Sequence, residues 1–379
     1  MDVLMVIKTT GLEYDDRLRK EANSVGEIGT CEILTLEYAN KKGQRIVYEG
    51  SVARSIHLRS RKWFKRAKGL WIKIPEMYIR LLFWIIRKKP DVIWIHNLEL
   101  MGLIPILVVL KWIKYFKRLI WDQHELPPDS LHNRKLFLSV YSWMMKQCDA
   151  VVMANQSRKN YVERLLINSI KTPIYVLNNF PDQKFHSYSK KSLPEDIQLW
   201  LNKKPYLLAQ GGANPHRNLF ELVQAVMAQN VYKLIIIGPY KERQKDEISQ
   251  LHGPDYMDHV LIMGFVPQME IIPYIDHAVA SVVFYDMESI NRRLCAPNRF
   301  YHAVSRGTTV IVGYNPPTRE TVDKLGVGIV VDSSDPKSIR RGIESLNGSL
   351  PSIKKNICQV SNKFVWENQS EKIFQILAK

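Results

Sequence analysis

Cysteine is scarce in this 379-residue chain: four residues, at 31, 148, 295 and 358. They stand far apart with no CxxC spacing, so neither a disulfide framework nor a cysteine-built metal site is expected, and a reducing compartment suits the chain. Long apolar runs are missing too. None reaches the ~20 residues that a bilayer-spanning helix needs, and the longest, Leu100–Leu110, contains Pro105 and stops at Lys111. The opening Met1-Asp2-Val3-Leu4-Met5-Val6-Ile7-Lys8 has an acid where a secretion signal carries positive charge, and its apolar run is short; a first buried strand is expected there. There is no internal repeat or low-complexity tract, and no Asp-x-Asp pair stands at a strand end; Asp286 is alone. What is present, 46% hydrophobic and 24% charged residues, is the composition of an ordinary globular protein long enough for two domains with separate cores.

Acid is short in one half only. The net charge of +17 divides into 30 basic against 17 acidic residues over 1–180, and 24 against 20 over 181–379. Between Arg54 and Lys89 twelve basic residues face the single acid Glu76. Apolar positions 64, 67, 70, 71, 74, 78, 81, 82 and 85 recur there at helical spacing, which predicts one or two basic amphipathic helices broken near Pro75. With Trp63, Trp71 and Trp84 among them, residues 54–89 suit an anionic membrane surface, aromatics in the interface and cations on phosphates. A core helix with a basic outer face is the plainer alternative. A nucleic-acid groove would use the same residue types, but no recognised nucleic-acid motif accompanies them, and no nucleic-acid partner is expected.

Short apolar runs alternate with helical patterns, which predicts parallel sheets covered on both faces. The first series is Val3–Ile7, Cys31–Leu36, Val92–Ile95, Arg118–Asp122, Ala150–Ala154 and Ile174–Leu177. The polar stretch 181–204, with five lysines over 183–204, reads as an interdomain linker holding one short helix. The second series is Tyr206–Gln210, Lys233–Ile237, His259–Met263, Ala280–Phe284, Thr308–Val312 and Gly328–Val331. The expected fold class is α/β: a Rossmann-like domain over 1–180 and another over 205–358, both doubly wound and facing a central cleft, with ligands beyond the C-terminal ends of the strands.

The candidate site residues lie at those ends. Gly11, in the loop after the first strand, would let a backbone approach a ligand, although a plain turn serves as well. Asp122-Gln123-His124-Glu125 ends another strand, where an imidazole can hydrogen-bond a sugar hydroxyl; His96 ends a third and is expected to be structural. In the second series Gly211-Gly212 relieves crowding near a pyrophosphate, and Arg217 offers a forked donor array. Gly238-Pro239 and Gly264-Phe265-Val266-Pro267 could be ordinary turn punctuation. Pro297-Asn298-Arg299 starts a helix whose free N–H groups suit an anion, with Ser289 and Asn291 just upstream.

In order and spacing these elements resemble the retaining nucleotide-sugar glycosyltransferases of the GT-B architecture, family-four type. The resemblance runs from Asp16-Arg17 and Glu21-Ala22 through Asp122-Gln123-His124-Glu125, Cys148-Asp149-Ala150-Val151, Asn178-Asn179-Phe180, Gly211-Gly212 and Pro297-Asn298-Arg299 to Trp366-Glu367-Asn368-Gln369. It implies His124 on the donor sugar, and Arg217 and Arg299 stabilising the departing nucleoside diphosphate. Gly211, Gly212, Gly238, Phe265, Val266, Ser289, Asn291, Pro297, Asn298 and His302 would line the donor site. Gly11, Asp16, Arg17 and Glu125 would face the acceptor. It also implies a last helix, within 359–379, packed back on the first domain.

Two positions depart from the family pattern. Where the family commonly has a glutamate accepting both ribose hydroxyls, five residues after the proline, this chain has His302; the paired upstream position is Leu294. A neutral imidazole offers one acceptor, so ribose contact must differ. Arg299 replaces the usual lysine. The implied activity is metal-independent transfer of a sugar from a UDP- or GDP-sugar, without cofactor, to a saccharide or lipid-linked saccharide of a bacterial surface polysaccharide, by a cytoplasmic enzyme at the inner membrane face. A GT-B nucleotide-sugar epimerase and a catalytically weak binding or scaffold protein are the alternatives.

Overall fold

The computed structural model describes residues 1–9, 11–12, 15–37, 45–48, 51–64, 68–166 and 170–378. The chain forms two compact units, Met1–Asn178 with Gln369–Lys379, and Asn179–Asn368.

The first unit is built on an eight-stranded sheet: β1 (Asp2–Thr9), β2 (Thr30–Glu37), β3 (Arg45–Tyr48), β4 (Ser51–Ser55), β5 (Val92–His96), β6 (Arg118–Gln123), β7 (Ala150–Met153) and β8 (Ile174–Val176). Their order is β3-β4-β2-β1-β5-β6-β7-β8, with only β3 antiparallel to its neighbour. β3 and β4 are absent from the sequence-based series: they are short, with only Ile46-Val47-Tyr48 as an apolar run in β3 and Val52-Ala53 in β4. β1 and β5 sit mid-sheet, and their apolar runs, Val3–Ile7 and Val92–Ile95, are buried on both faces, as helix-covered parallel strands require. Helix 16–26 starts where the Asp15 carboxylate accepts from the Leu18 N–H at 3.2 Å. The closing helix, Ser370–Ala378, packs on helix 16–26. It is pinned by Gln369, whose amide brackets the backbone of Asn178 at 2.8 and 2.9 Å, and by Arg118, which donates to the Ile376 carbonyl at 3.0 Å.

Residues 70–88 form one helix running through Pro75, not two broken there. Pro75 is exposed, so water can serve the carbonyl that its missing N–H leaves open. Residues 65–67 lie outside the described residues, as do Thr10, Glu13 and Tyr14 of the first loop.

The second unit carries a six-stranded, wholly parallel sheet: β9 (Tyr206–Gln210), β10 (Lys233–Ile237), β11 (Val260–Met263), β12 (Ala280–Val283), β13 (Thr309–Val312) and β14 (Gly328–Val330), in the order β11-β10-β9-β12-β13-β14. The order reverses at β9 and β12, so the C-terminal ends of these two strands flank the switch point where such sheets bind ligands.

Residues 181–204 differ from the linker expected of them. They hold two helices, Gln183–His186 and Glu195–Leu201, and Phe185, Ile197 and Leu201 enter the core beside Tyr206 and Ile235. Arg306 fastens the segment, donating to the carbonyls of Phe185, His186 and Tyr188 at 2.6–3.1 Å while pairing with Asp276. Residues 359–368 also belong to the second unit, and the return to the first begins at Gln369.

Candidate active site

At the switch point of the second sheet lies a pocket of about 360 Å³. Its lining unites Gly211, Arg217, Gly238, Phe265, Val266, Pro297, Asn298, Arg299 and His302. Two glycines make its floor possible. Gly211 and Gly212 have φ of +101° and +82°, and their N–H groups donate to the Ile237 carbonyl at 2.7 and 2.9 Å. A Cβ on Gly211 would overlap the guanidinium of Arg217, and one on Gly212 the carbonyl of Pro239.

Both arginines hold the carbonyl oxygen of Gln210, Arg217 at 3.3 Å, and Arg299 also donates to the Phe284 carbonyl at 2.8 Å. The two guanidinium groups lie over the ring of Tyr285, 5.6 and 4.6 Å from its centroid. Among the described residues neither pairs with a carboxylate, and the Nε of each is buried without a partner. Burial, and then the charge of Arg299, bring the Arg217 pKa down to about 10. A buried and a half-buried cation with spare donors and, among the described residues, no counter-ion suit a polyanion such as a diphosphate. Tyr285 escaped the sequence reading; its position just beyond a strand end was the available signal.

His302 is buried, its ring centroid 4.5 Å from that of Phe185 and its Nε2 3.5 Å from the Gln268 amide nitrogen. Pro297 caps the helix Asn298–Ser305 in extended conformation. Ser289 and Asn291 are not in the pocket lining; Ser289 caps the short helix Ile290–Arg293 by accepting from the Arg292 N–H at 3.3 Å.

In the first unit His124 belongs to a buried charge cluster. Arg17 grips Asp122 with one nitrogen at 2.9 and 3.1 Å, Glu21 at 2.9 Å and the Leu177 carbonyl at 2.7 Å. His96 Nδ1 lies 3.5 Å from Glu21 and 3.4 Å from His124 Nε2. Burial would raise the Asp122 carboxyl, but the Arg17 charge beside it holds it down to about 2. Glu21 goes the other way, raised well above the usual range by burial and by Asp122. Burial lowers His96 to about 4 and His124 to about 3, so both rings are neutral at pH 7. Asp16 is held by Arg19 and Lys20, each at 2.6 Å. The side chains of Asp16 and Arg17 thus make their ion pairs within the unit. Gly11 is buried and Glu125 is exposed.

Among the described residues, two groups of side chains have ligand atoms close enough together to hold a metal: Glu21, His96, Asp122 and His124, and the more open His216, Asp286 and Glu288. In each, arginine already occupies the carboxylates. Arg17 holds both acids of the first, and Arg292 contacts Asp286 at 2.7 Å and Glu288 at 2.9 Å in the second.

Residues 194–349 match the model of the family described as Glycosyl transferases group 1. This stretch is similar to that family's domain. It contains the whole pocket lining. The full chain is similar in structure to sucrose-phosphate synthase from Thermosynechococcus elongatus, with a TM-score of 0.79 at 14% identity over 100% of this chain and 98% of that one. It is similar also to an alpha,alpha-trehalose-phosphate synthase (UDP-forming) from Burkholderia xenovorans in complex with glucose-6-phosphate, with a TM-score of 0.72 at 10% identity over 100% and 99%. A third likeness is to HepE of Anabaena in complex with UDP, with a TM-score of 0.69 at 12% identity over 100% of both chains. No curated protein matches the sequence. The fold is GT-B, two Rossmann-like α/β units. No helix among the described residues is long and apolar enough to cross a membrane.

Proposed function

We propose that this protein is a retaining glycosyltransferase that moves a sugar from a nucleotide-sugar donor to a saccharide or lipid-linked saccharide acceptor in bacterial cell-surface polysaccharide synthesis. The observation that carries this reading is the pair Arg217, half-buried, and Arg299, buried, side by side in a pocket at the sheet's switch point with no carboxylate partner among the described residues. The family match over 194–349 and the UDP held by the structurally similar HepE support a uridine diphosphate sugar as donor.

In this reading the nucleoside lies along Gly238, Phe265 and Val266, and the diphosphate lies against Gly211, Asn298 and the two guanidinium groups. As the anomeric bond breaks, negative charge grows on the leaving diphosphate, and the preorganised cations stabilise it without a metal ion. The departing oxygen takes the proton of the acceptor hydroxyl on the same face of the sugar, so configuration is kept. His124, neutral at pH 7, hydrogen-bonds a hydroxyl of the transferred sugar, and the first unit receives the acceptor.

The test is a panel of nucleotide sugars incubated with the purified protein and a lipid-linked saccharide extract, with products read by mass and by the anomeric proton coupling. Transfer with the donor's configuration is expected. Inversion would refute the retaining mechanism, and absence of turnover with every donor would refute the enzyme.

A further inference from the structure

Of the 22 large apolar side chains that stand exposed among the described residues, fourteen fall between Trp63 and Trp143. They cluster on three helices of the first unit. Helix Leu70–Lys88 has two apolar faces: Met77, Leu81 and Ile85 enter the core, while Trp71, Ile79 and Phe83 recur at helical spacing on the outside. Helix Ile104–Trp112 buries Ile104 and Leu107 but leaves Trp112 86% exposed. Helix Lys135–Gln147 buries Tyr141, Met144 and Met145 and turns Leu136, Val140 and Trp143 outward, with Leu136 79% exposed. A solvated helix would carry polar residues at these positions.

The three helices are neighbours. Tyr78 of the first donates to the Glu99 carbonyl at 3.4 Å, just before the second, and Tyr115, just after the second, donates to the Ile86 carbonyl. The second helix packs on the third. Over residues 70–89, 104–117 and 134–147 there are eleven lysines and arginines and one acid, Glu76. That acid is already engaged by the N–H groups of Arg59 and Ser60 at 2.7 and 2.9 Å and by Arg80. Lys89, Lys114, Lys135 and Lys146 make no ion pair among the described residues.

We propose that these helices form one membrane-docking face that lies on an anionic bilayer surface. Tryptophans rimmed by cations match the polar-apolar boundary of a leaflet, where indole rings settle and lysines meet lipid phosphates. A second copy of this chain would set basic rim against basic rim, and protein interfaces are depleted in lysine. The face extends well past residues 54–89, since Trp112, Leu136 and Trp143 come from later helices. The inference stands whether or not the second unit transfers a sugar.

The test is flotation of the full-length protein with phosphatidylcholine vesicles, with and without about 30 mol % phosphatidylglycerol, at low and high salt. Binding only to the anionic vesicles, weakened by salt, is expected. The double variant Trp112→Ser/Leu136→Ser, outside residues 54–89, should bind at least about 10-fold less, and so should Lys114→Glu/Lys135→Glu. Unchanged circular dichroism and UDP affinity show that each variant is folded, and either pair suffices if the other is not. Wild-type protein that stays unbound with anionic vesicles overturns the proposal, as do folded variants that float like wild type. So does a wild-type dimer that Trp112→Ser disperses in the absence of any vesicle binding, which would make the face a subunit interface.

Discussion

Arg217 and Arg299 share one acceptor, the carbonyl oxygen of Gln210, and so hold two guanidinium groups together against Tyr285 where like charges would otherwise separate. Among the described residues the repulsion has no counter-ion, and a bound diphosphate would relieve it. Arg217→Ala and Arg299→Ala should each weaken UDP binding by about 10- to 100-fold, the loss of a charge-assisted hydrogen bond of about 1.5–3 kcal/mol. Uridine affinity should hardly move. Calorimetric titration with both ligands checks this; equal losses for uridine and UDP would mean that the arginines shape the pocket and do not clamp phosphate.

The floor beneath the arginines admits no side chain. Gly211→Ala puts a Cβ where the Arg217 guanidinium lies, at a φ of +101° that alanine rarely adopts. A stability loss of about 1–3 kcal/mol is expected. The displaced guanidinium should also lower UDP affinity to near that of Arg217→Ala. Thermal melts with and without UDP report both effects, and a variant with wild-type UDP affinity would show that Arg217 can act from another position.

The buried imidazoles of the first unit make its stability depend on pH in a defined direction. His96 and His124 titrate near 4 and 3 when folded, against 6.5 for an ordinary histidine. Between these values the unfolded chain binds protons that the folded one refuses, so the contribution to stability is complete above pH 6.5 and is lost as pH falls toward 4. Replacing His96 by Asn should flatten the slope of unfolding free energy between pH 6 and 5 by about 1.4 kcal/mol per pH unit, one proton's worth. Urea titrations followed by fluorescence at pH 5, 5.5 and 6 give that slope. An unaltered slope would place the His96 proton in both states.

Two parallel sheets were legible in the sequence because runs such as Leu234–Ile237 and Val92–Ile95 need burial on both faces and carry β-branched residues. The pocket was legible in part for a similar reason: glycine pairs and the Pro297-Asn298-Arg299 start mark backbone positions that few other residues can fill. What escaped depended on partners distant in the chain. Arg17 is assigned to the acceptor by resemblance, and nothing in its local sequence points to Asp122, 105 positions later, which lies beside it. Residues 181–204 read as a linker because a few scattered residues, with Phe185, Leu193, Ile197 and Leu201 buried, carry their packing, and the clamp on them is Arg306, more than a hundred positions on. The outward stripe of helix 70–88 was hidden within a general apolar periodicity, since sequence spacing alone does not say which of two apolar faces the core takes.

His302 is where this chain parts from the pattern of the family that it resembles, and the pocket makes the difference measurable. The imidazole lines the same cavity as Arg299 and rests against Phe185, with Gln268 at 3.5 Å. A neutral ring can accept one hydrogen bond, whereas a carboxylate can take both hydroxyls of a ribose. His302→Glu should therefore tighten UDP binding by about 3- to 10-fold, the net worth of one added hydrogen bond to a charged group less the cost of burying that charge beside a cation. The gain should vanish with 2′-deoxy-UDP, which lacks one of the two hydroxyls. Titrating wild type and variant with both nucleotides separates ribose contact from a general electrostatic effect: an equal gain for the deoxy nucleotide would show that the new carboxylate acts through Arg299, and a loss for both would show that position 302 does not face the ribose.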